Sequence, residues 1–183
     1  MLLLDITCFF SYTCQKQYMS KQLNAMSYED FKKRLIKSQE AVVFMQKYFE
    51  KKKFTVEVPE LVIAPESVGA FSEYADNGDM FIEKNGIREK VEIKQSSRTF
   101  DLESWPYESV IVNSITGYDS KDPKPDIHII LSKDRKYGYA VRKEVVEEHK
   151  YLKQVYDQYK QVPLWFYFVD KQYATFFKIK IKQ

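Results

Sequence analysis

The chain has 183 residues, of which 44% are hydrophobic and 30% are charged, and such a composition is typical of one globular domain with a sizeable core. A formal net charge of +3 permits nucleic-acid binding but does not by itself indicate it. The cysteines are Cys8 and Cys14 and the histidines are His128 and His149, so the sequence has no zinc-binding pattern and excludes nucleases that pair a histidine base with a metal-binding histidine.

The N-terminal sequence begins apolar but does not form a signal-peptide pattern. It has no basic start, Asp5 interrupts the apolar run, and no small-residue cleavage site follows. It is also too short and too polar for a membrane span. We therefore expect residues 1–26 to be an N-terminal extension and residues 27–183 to form a single domain. The expected location is the cytoplasm, with reduced cysteines and no membrane partner.

A first helix is predicted over residues 27–52. Ser27 and Asp30 resemble a capping box at its start. A short strand is predicted over 54–58, where Pro59 ends it. The apolar side chains of the helix recur every three or four residues, as on the buried face of an amphipathic helix: Phe31, Leu35, Val42, Met45 and Phe49.

The rest of the chain is rich in predicted strands. We expect a hairpin over 78–84 and 87–95, a strand over 108–114, a loop over 117–126, a second hairpin over 127–143, a helix over 143–160, and last strands over 163–170 and 174–181. This order predicts a mixed α/β (α+β) fold with a central mixed β-sheet flanked by helices. The apolar side of helix 143–160 suits core packing and a partner subunit equally well, so a homodimer stays open.

The first hairpin has the strongest local signal in the chain. Asn85-Gly86 stands between two runs of alternating hydrophobicity, which favours a two-residue type I′ turn. Counting outward from that turn pairs Lys84 with Ile87 and, five steps further, Asp79 with Glu92. That last pair belongs to the non-hydrogen-bonded kind, in which the Cβ atoms are roughly 4.5–5.5 Å apart.

The period of two along a strand divides the hairpin into two faces. One is predicted to face the core, and its members are Met80, Ile82, Ile87, Val91 and Ile93. The other carries Asp79, Phe81, Lys90, Glu92 and Lys94.

Two carboxylates directly across a sheet repel each other, and a divalent cation between them removes that penalty. Oxygen ligands at this spacing suit Mg²⁺ or Mn²⁺. Lys94, two residues after Glu92 on the same face, can reach a phosphate or an attacking water. Together, Asp79, Glu92 and Lys94 therefore predict metal-assisted phosphodiester hydrolysis. The alternative is a solvated hairpin face.

The pattern "GD…VEIK" resembles the active-site signature of the PD-(D/E)xK nuclease superfamily, which has the restriction-endonuclease-like fold. The resemblance covers residues 30–95, and Asn-Gly-Asp stands where the family has Pro-Asp. It implies a Mg²⁺- or Mn²⁺-dependent endonuclease with Asp79 and Glu92 as metal ligands and Lys94 as the catalytic lysine. DNA is the implied substrate, by analogy with the family.

The resemblance also implies further site residues. Gln95 is similar to a glutamine in several branches of the family, and the carbonyl of Ile93 is expected as a further metal ligand. Glu40 is the expected helix acid, although Glu66 or Glu73 could take its part. An RNA endonuclease of the same fold and a non-catalytic nucleic-acid-binding module remain alternatives.

Three polar residues follow the signature directly. Ser96, Ser97 and Arg98 could donate hydrogen bonds to a nucleic-acid phosphate. A polar strand end explains them equally well.

Overall fold

The computed structural model describes residues 28–62, 79–157 and 162–180. The predicted extension over 1–26, both cysteines, Ser27 of the capping box and the alternative acids Glu66 and Glu73 lie outside the described residues. In the part of the chain that is described, no helix is both long and apolar enough to cross a membrane.

Nine strands, three α-helices and one 3₁₀ turn are described in these ranges. In chain order they are α1 (Tyr28–Lys51), β1 (Thr55–Glu57), β2 (Met80–Lys84), β3 (Ile87–Gln95), β4 (Ser109–Ser114), α2 (Ile115–Asp119), β5 (Ile127–Leu131), β6 (Tyr137–Arg142), α3 (Lys143–His149), β7 (Tyr151–Asp157), β8 (Val162–Asp170), the 3₁₀ turn Lys171–Tyr173 and β9 (Thr175–Lys178).

The strands form two sheets. Sheet A has six strands in the order β1-β2-β3-β5-β6-β9, and sheet B has three in the order β4-β8-β7. All neighbouring strands are antiparallel except β3 and β5, which run parallel. The predicted mixed α/β fold with a central mixed sheet is therefore confirmed.

Helix α1 covers one face of sheet A, which we call face 1. Met45 of α1 is fully buried against the strands, and Phe49 lies in the same cluster. Four of the five hairpin residues predicted to face the core do so, because the strand period brings them all under the helix: Met80, Ile82, Val91 and Ile93. The prediction for Ile87 is wrong, since this residue beside the turn is 66% exposed.

Sheet B, together with α2 and α3, covers part of the opposite side of sheet A, which we call face 2. Strand β5 is buried along its whole length because it is covered on both faces. The second sheet was not predicted. The cluster between the two sheets contains Val110, Val112, Tyr118, Ile130, Tyr139, Val141, Val146 and Val169.

The predicted helix over 143–160 is wrong beyond its first turns. Helix α3 ends at His149, Lys150 is extended (φ −68°, ψ 142°), and β7 follows as an edge strand paired with β8. Apolar residues in this stretch fit a helical period, but the ring of Tyr151 stacks on Phe168 of β8 at 6.3 Å. Cross-strand packing therefore overrides the local pattern.

The predicted loop over 117–126 also needs a correction, because α2 occupies its first residues. Ser114 caps this helix, since its side-chain oxygen accepts a hydrogen bond from the backbone N–H of Gly117 at 3.0 Å. A Cβ on Gly117 would lie 2.5 Å from Asn113 Oδ1, so glycine permits the close approach. The second predicted hairpin is confirmed as β5 and β6.

Candidate active site

The turn between β2 and β3 sets the register of the hairpin. Asn85 (φ 54°) and Gly86 (φ 76°) are both left-handed, as a type I′ turn requires. The predicted pairing is confirmed for five pairs, from Lys84 with Ile87 beside the turn to Met80 with Val91, where the ladder ends. Asp79 therefore lies just before the first paired residue of β2, and Glu92 and Lys94 lie just after Val91, its partner on β3.

Asp79 departs locally from the regular ladder. Its backbone N–H donates to the carbonyl of Val91 at 3.2 Å, and its carboxylate oxygen Oδ2 accepts from the backbone N–H of Ile93 at 2.5 Å. The carboxylate thus takes the place of a backbone acceptor opposite β3. Because Ile93 follows Glu92 directly, the two acids of the signature are held beside the same peptide unit.

Glu92 is a buried carboxylate with a lysine on each oxygen. The residue is 6% exposed. Lys94 Nζ lies 3.4 Å from Oε1, and Lys121 Nζ forms an ion pair with Oε2. Burying a charge is costly unless it is paired, and the two lysines provide that pairing. The site is therefore more positive than two acids and one lysine would make it.

Lys121 was missed by the sequence analysis. It lies in the loop after α2, and its side chain is only 11% exposed. The loop is fixed from two sides: Lys124 Nζ donates to the carbonyls of Lys121 and Asp119 at 2.8 and 2.9 Å, and Lys90 Nζ donates to the carbonyl of Pro123 at 2.9 Å. A lysine in a polar loop has no local signal for such a role, and the fold alone brings it to Glu92.

The carbonyl of Ile93 points toward the same edge as Asp79. In β3, residues alternate in the direction of their backbone polar groups. The Lys90 backbone groups exchange hydrogen bonds with Asp126, just before β5, and Ser96 donates to Leu131 of β5. Odd-numbered residues therefore direct N–H and C=O to the β2 side, where Ile93 N–H meets Asp79.

Glu40 and Gln95 form a separate group. Arg135 Nη2 lies 3.1 Å from Glu40 Oε2 and 3.1 Å from Gln95 Oε1. Gln95 also donates through Nε2 to the carbonyl of Lys133 at 2.7 Å. Glu40 is on α1, and Gln95 shares its strand face with Ile93, so this group belongs to face 1 while Glu92 belongs to face 2.

The donor set suits one hard divalent ion. Residues 28–62, 79–157 and 162–180 contain no group of three or more His, Cys, Asp or Glu side chains that could hold a metal ion. Mg²⁺ is usually held by one or two carboxylates with waters and substrate phosphates, and does not need a full protein cage. Asp79, Glu92 and the carbonyl of Ile93 are the groups that would hold such an ion.

The three polar residues after β3 line its end. Ser96 donates its backbone N–H to Leu131, and its Oγ accepts from the backbone N–H of Arg98 at 3.0 Å. Arg98 Nη1 donates to the hydroxyl of Tyr107. Ser97 and Arg98 are exposed. Their proposed contact with phosphate stays a prediction.

His128 lies beside Glu92 on the neighbouring strand β5. It is 1% exposed, and in the described part of the chain neither ring nitrogen has a hydrogen-bond partner. Burial, followed by the charges of Lys94 and Lys121, lowers the pKa of His128 to about 3. The ring is therefore neutral at physiological pH, and its centroid lies 5.4 Å from that of the Tyr118 ring.

Comparison with known proteins finds only a distant structural likeness. No family model matches the chain, and no curated protein matches it either. Among solved structures, the bacterial homing endonuclease I-Ssp6803I is similar to it with a TM-score of 0.32 and 14% sequence identity. The alignment covers 59% of this chain and 66% of that one, so it spans less than two thirds of the homing endonuclease.

Proposed function

We propose that this chain is a metal-dependent nuclease of the PD-(D/E)xK type that hydrolyses phosphodiester bonds, with DNA as the favoured substrate. One observation carries the proposal. The Asp79 carboxylate binds the peptide N–H that follows Glu92, and Lys94 lies 3.4 Å from Glu92 on the same face. These two contacts, both at the end of one hairpin, support the proposal.

Each residue of the group has a chemical task in this proposal. Asp79, Glu92 and the carbonyl of Ile93 would hold Mg²⁺ or Mn²⁺, which when bound supplies Lewis-acid activation of the phosphoryl group and of water. Lys94 has a side chain that is 41% exposed. It can therefore contact an incoming phosphate and stabilise the negative charge that develops there.

A non-catalytic nucleic-acid-binding protein is the second candidate. Lys94 and Lys121 already neutralise the Glu92 carboxylate without a metal ion. The two lysines suit a phosphate backbone, which binds positive groups whether or not it is cleaved. An RNA endonuclease with the same site is distinguished from the DNA enzyme by substrate alone.

The test is a cleavage assay on supercoiled plasmid, linear duplex, branched DNA and single-stranded RNA, each with Mg²⁺, Mn²⁺ or EDTA. We expect metal-dependent cleavage that falls at least about a hundredfold in Asp79→Asn and Lys94→Ala, as is usual when a charged catalytic group is removed. Glu83→Gln is the matched control, because Glu83 is an exposed carboxylate on the same hairpin.

Three results would count against the nuclease. They are cleavage that EDTA does not stop, equal cleavage by the variants, and binding without cleavage of any substrate. The last result would favour the non-catalytic candidate.

A further inference from the structure

The two lysines of Glu92 differ in their surroundings. The side chain of Lys94 is 41% exposed and can leave Glu92 for a substrate, whereas that of Lys121 is 11% exposed. Carbonyl contacts of Lys124 and Lys90 fix the loop that carries Lys121. Lys121 is thus held in the site, unlike an exposed surface lysine.

Among the described residues, the acid expected for a second metal ion is directed elsewhere. Glu40, expected as the third carboxylate, pairs with Arg135 on the α1 side of sheet A. The described residues hold no cluster of three metal-binding side chains. In sites with two metal ions, the ions together neutralise the attacking and the leaving oxygens. Here Lys121 already provides one positive charge at Glu92 Oε2.

We propose that the site takes one divalent ion per chain and that Lys121 supplies, through its ion pair with Glu92, the positive charge that a second ion would supply. This inference rests on the nuclease function proposed above. Lys121 is a positioning residue in this role, because it acts on the substrate phosphate through Glu92 and the local field. It orients Glu92 Oε2 and leaves Oε1, on the side of Lys94, for the ion.

The experiment is a calorimetric titration with Mn²⁺ of the full chain, of Lys121→Gln and of Lys121→Arg. We expect one ion per wild-type chain, and no binding in Asp79→Asn. Lys121→Gln should bind the ion about tenfold more tightly, because a like charge is removed from its neighbourhood. The same variant should cleave more slowly at saturating Mn²⁺, while Lys121→Arg keeps both properties near wild type.

Lys136→Gln is the matched control, since the side chain of Lys136 is 73% exposed and lies away from Glu92 in a pair with Asp134. It should bind Mn²⁺ as the wild type does. If Lys121→Gln does not fold, the stoichiometry of the wild type still decides the question, because two ions per chain would overturn the inference.

The outcomes separate this inference from the function on which it rests. One ion that Asp79→Asn abolishes, together with unchanged affinity and cleavage in Lys121→Gln, overturns the role of Lys121 and leaves the nuclease standing. A wild-type chain that binds no Mn²⁺ and cleaves nothing overturns both.

Discussion

At the scale of single residues, the ion pair between Glu92 and Lys121 should be costly to disrupt. Both side chains are nearly buried, at 7% and 11% exposure. We expect Glu92→Gln and Lys121→Met each to lower the free energy of unfolding by about 3 kcal/mol, because each removes one member of a nearly buried ion pair. Urea unfolding of both variants measures this.

A double-mutant cycle gives the control for that prediction. The double variant should lower the free energy of unfolding by less than the sum of the two single variants, with a coupling energy above about 1 kcal/mol. Arg88 and Glu57 form a comparison pair at 2.8 Å whose side chains are 50% and 59% exposed, and their coupling should stay below about 1 kcal/mol. Additive costs at Glu92 and Lys121 would contradict the paired arrangement.

His128 predicts a pH dependence of stability. Its folded pKa is lowered to about 3, whereas an unfolded histidine binds its proton near pH 6.5. Between these values the unfolded chain binds more protons than the folded one. The contribution of His128 to the free energy of unfolding is thus fully present above pH 6.5. It decreases by about 1.4 kcal/mol per pH unit as the pH falls toward 3.

His128→Leu should remove that contribution. Urea unfolding at pH 7, 6 and 5 should show a flatter pH profile for the variant than for the wild type, since the acidic residues titrate in both. His149→Gln is the control, because His149 is partly exposed and stacks on Tyr173 at 4.0 Å. Parallel profiles of wild type and His128→Leu would contradict the neutral buried ring.

At the scale of elements, β7 can be tested by substitutions whose effect on stability has opposite signs in a strand and in a helix. Gln154 is exposed and pairs with Trp165 on β8. In a strand, Gln154→Thr should stabilise and Gln154→Ala should destabilise the protein, each by about 0.5 kcal/mol. In the helix that the sequence pattern predicts, both signs would be reversed. Thermal unfolding of the two variants decides between them.

The elements that the sequence predicted correctly are those that depend on neighbours along the chain. Asn85-Gly86 alone fixes the turn, and the register of the hairpin follows from it. Strand β7 could not be predicted this way, because it is stabilised by β8 across the sheet. The same reason explains why Lys121 was missed: it is 29 residues from Glu92 in the chain, and only the packing of the α2 loop brings them together.

At the scale of the whole molecule, sheet A separates two hydrophobic cores. The predicted site residues are likewise divided between its two faces. Glu92 and Lys94 belong to face 2, Asp79 lies at the β2 edge beside the Ile93 peptide, and Glu40 and Gln95 belong to face 1. A sequence motif gives the residue types and the strand period gives the face, but neither shows which face α1 will cover. The helix covers face 1 because its apolar stripe meets the apolar side of the hairpin.

Because both cores include residues of β5 and β6, they should unfold together. Met45→Ala removes a fully buried side chain from the α1 core and should cost about 2–5 kcal/mol. Trp105 packs against the other core, with its ring 5.4 Å from that of Tyr139. In Met45→Ala, the unfolding midpoint measured by tryptophan fluorescence should therefore move to lower urea by the same amount as the midpoint measured by circular dichroism. Val43→Ala on the same helix is the control, since Val43 is 40% exposed and the change should cost less than about 0.5 kcal/mol. A fluorescence midpoint that stays in place while the dichroism midpoint moves would mean that the two cores unfold separately, and that the site on face 2 does not depend on the helix on face 1.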